Sequence, residues 1–176
     1  MPDKVEAAKY MDELSPAAQI IGAVNTIVND DGKLTGYITD GEGFVNNLKD
    51  HGIDIKGRKI TVAGGGGAAT AIQVQCALDG AREITIFNKK DDFFERTLET
   101  AEKIRKAVPE CVVNVYDIDD VAKMTEEINT SDIFANATIV GMKPLDDQSV
   151  VKDTSAFRPG LVVADAVYNP QETKLL

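Results

Sequence analysis

The chain has 176 residues, of which 43% are hydrophobic and 27% charged, and 14 are glycine. This is enough for one domain of ordinary size plus a remnant of another, and it excludes a disordered tail, a collagen-like repeat and a small disulfide scaffold. The formal charge of −10 argues against a nucleic-acid partner, because so acidic a chain repels the phosphate backbone.

Several other classes of protein are disfavoured by simple counts. No run of about 18 apolar residues is present, so we expect no membrane span. No apolar segment follows the first charges, and Cys76 and Cys111 lack partner spacing, which together favour a reducing, cytoplasmic setting. One histidine and two distant cysteines argue against a zinc site, so no metal is expected.

The first forty residues predict short elements only. Apolar residues at helical spacing predict a first helix, and Ser15-Pro16 is typical of the start of a second. A segment rich in β-branched residues precedes a turn signal and a second short segment, which indicates a hairpin or two adjacent strands. The predicted elements are helices 5–14 and 16–21, strands 23–28 and 33–37, and a helix around 44–48 that ends at Gly52.

From Lys56 onward, apolar strand segments alternate with helical patterns. The predicted strands are 59–63, 83–87, 111–115, 133–137 and 161–166, and the predicted helices are 68–78, 93–107 and 121–128. This alternation with short loops predicts an α/β fold with a doubly wound parallel sheet, Rossmann-like. We place the domain boundary near residues 37–43, so that residues 41–176 form this domain and residues 1–40 are a remnant of a smaller one.

The glycine-rich segment 64–69 matches the pattern G-x-G-x-x-A through Gly64, Gly66 and Ala69. The first glycine permits a tight turn, the second lets a pyrophosphate approach the backbone, and the small third residue lets helix and strand pack closely. Because the segment lies between a predicted strand and a predicted helix, we favour NAD(P) binding over a plain glycine-rich turn. The expected contacts are Gly64, Gly65, Gly66, Gly67 and Ala68.

The end of the second predicted strand carries Asn88, Lys89, Lys90 and Asp91. At this place an acidic residue holds the adenosine ribose hydroxyls of NAD, or a cation holds the 2′-phosphate of NADP. Asp91 favours NAD and the two lysines allow NADP, whereas a solvated turn that precedes the next helix is the third interpretation. We expect NAD, with NADP possible.

Six ordered motifs resemble the shikimate dehydrogenase family. They are Met1-Pro2-Asp3-Lys4, the segment 21–26, Gly36-Tyr37 with Thr39-Asp40-Gly41, the loop at Gly64, Asn136-Ala137-Thr138 with Val140-Gly141-Met142, and Val167-Tyr168-Asn169-Pro170 before Thr173 and Leu175-Leu176. Residues 88–94 and the segment 141–145 look most like the quinate/shikimate dehydrogenase branch, which accepts NAD.

The resemblance implies reversible hydride transfer between shikimate and a nicotinamide, giving 3-dehydroshikimate, with quinate as a possible further substrate. Lys4 matches the catalytic lysine and Asp40 its partner. Taken alone, Lys4 is an ordinary surface lysine, Asp40 a turn residue, and Tyr168 and Met142 core residues. Substrate contacts are implied for Lys4, Asn25, Thr39, Asp40 and Tyr168, and cofactor contacts for Asn88, Lys89, Lys90, Asp91, Thr138, Ala166, Tyr168 and Asn169.

The chain also departs from the family. Ile38 stands where asparagine is usual and Ile139 where the branch often has lysine. The family's N-terminal strands, with serines that bind the substrate carboxylate, and a later glutamine-bearing helix are expected to be missing, so we expect impaired activity. A dinucleotide-binding module without catalysis, or a subunit that needs a partner chain, is the alternative. Apolar positions in residues 5–37 predict self-association into a homo-oligomer.

Overall fold

The computed structural model describes residues 3–91 and 94–176. Met1 and Pro2 of the first motif, and Phe93 at the start of the predicted helix 93–107, lie outside the described residues. The described residues form a small mixed sheet of three strands and a parallel sheet of five.

The small sheet has the order β1-β3-β2. Its elements, with the helices around them, are α1 (Lys4–Ala8), β1 (Glu13–Leu14), α2 (Pro16–Ile21), β2 (Thr26–Asp30) and β3 (Lys33–Tyr37). The predicted hairpin is confirmed, since β2 and β3 pair antiparallel around Asp31 and Gly32. Both turn residues have positive φ, 48° and 95°, as a type I′ turn requires.

The predicted helix 5–14 is wrong beyond residue 8, because Glu13–Leu14 form strand β1. The amide of Asp12 donates to the carbonyl oxygen of Leu34 at 2.9 Å, and its carboxylate accepts from the Leu34 amide at 2.7 Å. Pairing with a distant strand outweighs a helical pattern that is too short to be stable alone. The second helix begins as predicted, with the Ser15 hydroxyl accepting from the Ala18 amide.

The larger sheet has the order β6-β5-β4-β7-β8 with every neighbouring pair parallel. Its elements are α3 (Asp40–Asp50), β4 (Lys59–Ala63), α4 (Gly67–Leu78), β5 (Glu83–Asn88), α5 (Phe94–Ala107), β6 (Val112–Asp117), α6 (Val121–Thr130), β7 (Ile133–Asn136), a 3₁₀ turn (Thr154–Ala156) and β8 (Val162–Asp165). The predicted Rossmann-like α/β fold is therefore confirmed.

The central strands are buried on both faces, which explains their continuous apolar runs. Strands β4 and β7 are neighbours, although the chain passes through β5 and β6 between them. Their connections leave on opposite sides, so a crevice opens at the carboxyl ends of β4 and β7, where ligands bind in such sheets. Within the described ranges, none of the helices has both the length and the apolar character needed to traverse a bilayer.

Candidate active site

Lys4 and Asp40 form an ion pair, although 36 residues separate them in sequence. The Lys4 Nζ lies 3.1 Å from the Asp40 Oδ2, and the two side chains are 31% and 40% exposed. Lys4 begins α1, and its carbonyl oxygen accepts from the Val24 amide, which ties α1 to the segment before β2. The pair is therefore held by the fold and still reaches solvent.

Asn25 orients Asp40 from the other side. Its Nδ2 donates to the Asp40 Oδ1 at 3.1 Å. Its Oδ1 accepts from the Thr39 amide at 3.1 Å, the Thr39 hydroxyl at 3.2 Å and the Thr26 hydroxyl at 3.0 Å. The side-chain oxygen of Asn25 is thus fully engaged, and one amide hydrogen is left to reach a ligand.

The position of Asp40 depends on the glycine that follows it. Asp40 is the first residue of α3, where the positive end of the helix dipole favours a carboxylate. A Cβ at Gly41 would lie 2.1 Å from the carbonyl oxygen of Ala71, so only glycine lets α3 lie this close to α4. Gly41 therefore holds the carboxylate beside the glycine-rich loop.

The four glycines of this loop, residues 64–67, divide into two crowded and two open positions. Gly64 has φ +122°, and a Cβ there would lie 2.7 Å from the carbonyl oxygen of Ala137. A Cβ at Gly65 would lie 2.4 Å from the Thr97 hydroxyl. A Cβ at Gly66 or Gly67 would meet nothing within 4 Å. The space over these last two glycines is what a pyrophosphate needs, so the loop fits a dinucleotide.

The amino end of α4 lies at this open space. Gly66 is its N-cap and has no side chain to accept hydrogen bonds from the first-turn amides. These amides of Gly67 and Ala68 therefore remain available to an anion, which the helix dipole also favours. Ala69 is fully buried and makes the close contact with Gly64 that its small size predicts.

On the other side of the crevice, Asn136 organises the loop after β7. Its Oδ1 accepts from the amide and hydroxyl of Thr138, at 3.1 and 2.7 Å. Its Nδ2 donates to the Val140 carbonyl oxygen and to the Asp165 Oδ1, both at 2.9 Å. Asp165, at the end of β8, also accepts from the Thr173 hydroxyl at 2.7 Å. Thr138 is thus fixed at the edge of the crevice.

The residues at the end of β5 differ in their surroundings. The Nδ2 of Asn88 donates to the Thr97 hydroxyl at 2.9 Å, and both side chains border Gly65. Lys89, Lys90 and Asp91 are exposed. Asn88 therefore joins α5 to the glycine loop, while the other three are accessible to a ligand at the carboxyl end of the sheet.

The last segment of predicted site residues lies on the surface. Ala166 and Asn169 are exposed, and Tyr168 is 86% exposed. Met142 is 40% exposed, so neither Tyr168 nor Met142 is a core residue in this structure.

Of the two isoleucines that differ from the residues usual in the family, Ile38 is buried, whereas Ile139 is exposed beside Thr138. His51 is the C-cap of α3, with its Nδ1 at 2.8 Å from the Asn47 carbonyl oxygen.

Two cavities border the ion pair. One, of about 390 Å³, is lined by Lys4 together with Gly65, Gly66, Gly67 and Thr70. The other, of about 500 Å³, lies between α3, α4 and β8, and Asp40, Ala68 and Ala166 are among its lining residues. One side of the pair thus shares a cleft with the glycine loop, and the other faces the end of β8.

Three residues at the site were missed by the sequence analysis. Asp165 carries a signal, since a polar residue at the carboxyl end of a buried strand often points to a site. Gln73 is a polar residue within the apolar run of α4, which is also a signal. Thr97 carries none, because a threonine on an amphipathic helix is ordinary.

Comparisons with known proteins find relatives that match this chain over its whole length. No family model matches the chain. The shikimate dehydrogenase (NADP(+)) of Listeria monocytogenes serotype 4b (strain F2365) is 52% identical over 176 residues, which are all of this chain and 60% of that protein. The crystal structure of shikimate 5-dehydrogenase from Listeria monocytogenes in complex with shikimate and NAD superposes with a TM-score of 0.97 at 52% identity. Over its whole length the chain is therefore similar to shikimate dehydrogenases.

A second similar structure is that of a quinate dehydrogenase. Quinate dehydrogenase from Corynebacterium glutamicum, in complex with NAD, superposes with a TM-score of 0.84 at 29% identity. That match covers 99% of this chain and 60% of the other, and the Listeria structure is covered to 61%. The chain therefore spans about three fifths of the length of these members of the family.

Proposed function

We propose that this chain provides the dinucleotide-binding domain and the acid–base pair of an oxidoreductase that interconverts shikimate and 3-dehydroshikimate. The observation that carries the proposal is the cleft that joins Lys4 to the open glycines Gly66 and Gly67. We retain the division into residues 1–40 on the substrate side and residues 41–176 on the nucleotide side.

The proposed cofactor is NAD, with NADP as the alternative. The amides of Gly66, Gly67 and Ala68 would hold the pyrophosphate, and Gly64 and Gly65 shape the loop. When bound, the nicotinamide supplies the hydride donor or acceptor. Residues proposed to contact the remaining parts of the cofactor are Asn88, Lys89, Lys90, Asp91, Thr138, Ala166, Tyr168 and Asn169.

Lys4 is the proposed acid and base. In the direction of reduction its ammonium donates a proton to the substrate carbonyl oxygen, and in oxidation the amine accepts the hydroxyl proton. Asp40 holds the Lys4 Nζ at 3.1 Å, and Asn25 holds Asp40 in turn. Asn25, Thr39 and Tyr168 are proposed to contact the substrate hydroxyls, since each lies beside the pair or the open end of β8.

The test is a titration of the chain with NAD(H) and with NADP(H), followed by assays of NAD(P)H formation with shikimate, with quinate and with neither. We expect dinucleotide binding, together with at most slow turnover that depends on shikimate or quinate. The absence of dinucleotide binding would overturn the proposal.

A dinucleotide-binding module without catalysis is the second candidate. It is supported by the open space over Gly66 and Gly67, which is enough for dinucleotide binding without use of the ion pair. Binding of NAD(H) with no turnover on either substrate, even at long incubation, would support this candidate. Turnover restored by a second chain that lacks the glycine loop would instead indicate a subunit.

We also propose that copies of the chain associate through β2. Every residue of β2 is exposed, and Ile27 and Val28 are 48% and 47% exposed. In the described part of the chain β2 pairs with β3 alone, which leaves one edge for another strand. We expect light scattering to report a dimer or larger species for the wild-type chain. The substitution Ile27→Lys should shift the oligomeric state towards monomer. A wild-type monomer at high concentration would contradict this.

The cytoplasm is the compartment that we propose. Cys76 and Cys111 are both buried and free. Burial raises the pKa of the Cys111 thiol to about 11, so it stays protonated and unreactive at neutral pH. These thiols are compatible with a reducing compartment, and fractionation of the producing cell would test the assignment.

A further inference from the structure

Gln73 is a glutamine in an otherwise apolar part of α4. Its side chain is completely buried, and its neighbours on the helix include Ile72 and Val74. A buried amide is costly unless it is hydrogen-bonded. The Nε2 donates to the carbonyl oxygen of Gly64 at 2.9 Å, whereas the Oε1 has no hydrogen-bond partner among the described residues.

The carbonyl group that Gln73 holds lies where the sheet ends. The last register pairs of β4 join Ala63 to Phe87 and to Asn136. The Gly64 amide still donates to the Phe87 carbonyl oxygen at 2.7 Å, but within residues 3–91 and 94–176 no backbone amide donates to the Gly64 carbonyl oxygen. The direction of this carbonyl sets the peptide plane from which the loop continues to Gly66.

We propose that Gln73 is a positioning residue that holds the glycine loop in the conformation that receives the dinucleotide. This inference rests on the proposed function. Gln73 acts from beneath the loop at Gly64, while Asn88 and Thr97 confine Gly65 from the side. Together these contacts hold the two crowded glycines in place and leave Gly66 and Gly67 as the open positions.

The unpartnered Oε1 allows a positioning role for Gln73 to be distinguished from a purely structural one. An apolar side chain of similar size removes the unpartnered Oε1, which favours the fold, but leaves the buried Gly64 carbonyl oxygen without its donor, which disfavours it, so we expect little net change in stability. If Gln73 served stability alone, its replacement would lower the melting temperature and leave dinucleotide affinity unchanged. A positioning role predicts the opposite pattern.

The experiment compares wild type, Gln73→Leu and the matched control Gln75→Leu. Gln75 lies on the same helix, and its Nε2 donates to the Asp79 carboxylate at 3.1 Å, away from the loop. For Gln73→Leu we expect a melting temperature close to that of wild type, faster hydrogen exchange at the Gly64 amide, which is hydrogen-bonded to Phe87 at the start of the loop, and NAD(H) affinity lower by about two- to tenfold. Gln75→Leu should bind as wild type does.

A second variant gives a signature in pH. In Gln73→Glu, the carboxyl group can donate to the Gly64 carbonyl oxygen only when it is protonated, so NAD(H) affinity should fall as pH rises more steeply than in wild type. Unchanged affinity in Gln73→Leu, or a lower melting temperature without faster loop exchange, would overturn the inference. If wild type itself does not bind NAD(H), the proposed function fails in that first titration and the inference falls with it.

Discussion

Two lysine–carboxylate pairs lie at opposite ends of the parallel sheet and have opposite surroundings. Lys4 and Asp40 lie near the carboxyl ends of the strands and are 31% and 40% exposed. Lys59 and Glu127 lie near the amino ends and are each 8% exposed. The comparison shows how the same two chemical groups are left accessible in one place and enclosed in the other.

The buried pair is closed to any ligand because all of its hydrogen-bonding capacity is used. The Lys59 Nζ contacts Glu127 at 2.7 Å, Thr130 at 2.8 Å and Glu83 at 3.0 Å, which accounts for the three donors of an ammonium group. Glu127 also contacts Lys123 at 2.8 Å. Lys4, in contrast, donates to Asp40 alone among the described contacts and keeps donors for a substrate.

The largest effect is expected at the exposed pair, Lys4 and Asp40. Lys4→Met should lower the rate of shikimate oxidation by on the order of 10²–10⁴, because the proton-transfer group is lost. The melting temperature should barely change, since exposed ion pairs contribute about 0–1 kcal/mol. Asp40→Asn should lower the rate less, through lost orientation of Lys4.

Lys9→Met is the matched control for this prediction. Lys9 pairs with Glu6 at 2.6 Å next to the same helix, and its side chain is 65% exposed. It should retain the wild-type rate of NAD(P)H formation. Turnover that survives in Lys4→Met would show that another group transfers the proton.

The open and crowded glycines should respond differently to the same substitution. Gly66→Ala should weaken NAD(H) binding by roughly tenfold or more, which is about 1.4 kcal/mol or more of binding free energy, with little change in stability. Its φ of −77° suits alanine, and the new Cβ meets no atom. Gly65→Ala should instead lower the free energy of unfolding by about 1–3 kcal/mol, through crowding against Thr97. Calorimetry and thermal melts measure both, and normal binding by Gly66→Ala would refute the loop assignment.

At the buried pair, Lys59 and Glu127, we expect substitution to lower stability without lowering dinucleotide affinity. Glu127→Gln should lower the free energy of unfolding by about 2–3 kcal/mol, because Lys59 and Lys123 lose their shared partner in a buried place. Chemical denaturation and NAD(H) titration check the two halves. Glu126→Gln, at a neighbouring side chain that is 66% exposed, is the control and should change neither.

The same variant should change the dependence of stability on pH. Burial acts to raise the pKa of Glu127, but hydrogen bonds from Lys123 and Lys59 outweigh it and hold the pKa below its usual value. A lowered pKa means that the stabilisation is present at neutral pH and lost as pH falls below about 4. Wild type should therefore lose more stability than Glu127→Gln on acidification, and parallel curves would contradict this assignment.

The smallest effect concerns the choice of cofactor. Asp91→Ala should narrow the preference for NAD over NADP by about two- to tenfold, because a hydrogen-bonding carboxylate that also repels the 2′-phosphate is removed. Paired titrations with both dinucleotides measure the ratio, with the exposed Glu95→Ala as control. If the ratio of the affinities for NAD and NADP does not change, Asp91 is a solvated turn residue without a role in cofactor choice.

The elements of the larger sheet were predictable from sequence because their patterns are local. Buried strands such as β4 and β5 are continuous apolar runs between turn signals, and α4 begins where the glycines end. The helix predicted over residues 5–14 failed for the opposite reason. Its outcome depended on pairing between Asp12 and Leu34, which no local pattern of apolar residues reveals.

The candidate site shows the same division. The residues of the candidate site were predicted from the sequence, but the hydrogen bonds that position their side chains were not. Asn25 was expected to bind a substrate, and in the structure its side-chain amide donates to Asp40. Tyr168 is exposed on the loop after β8, although an isolated tyrosine next to valine is more often buried.

By itself, the sequence determined the parallel α/β architecture, the position of the glycine loop and the identity of the polar residues in the ordered motifs. These follow from periodicity and from residue chemistry at short range, which act within a few positions along the chain. Only the tertiary structure decided which glycines are open, which lysine is closed off, and that Gln73 reaches the Gly64 carbonyl oxygen. Those outcomes depend on contacts between segments far apart in sequence, whose distances are set when helices and strands pack together.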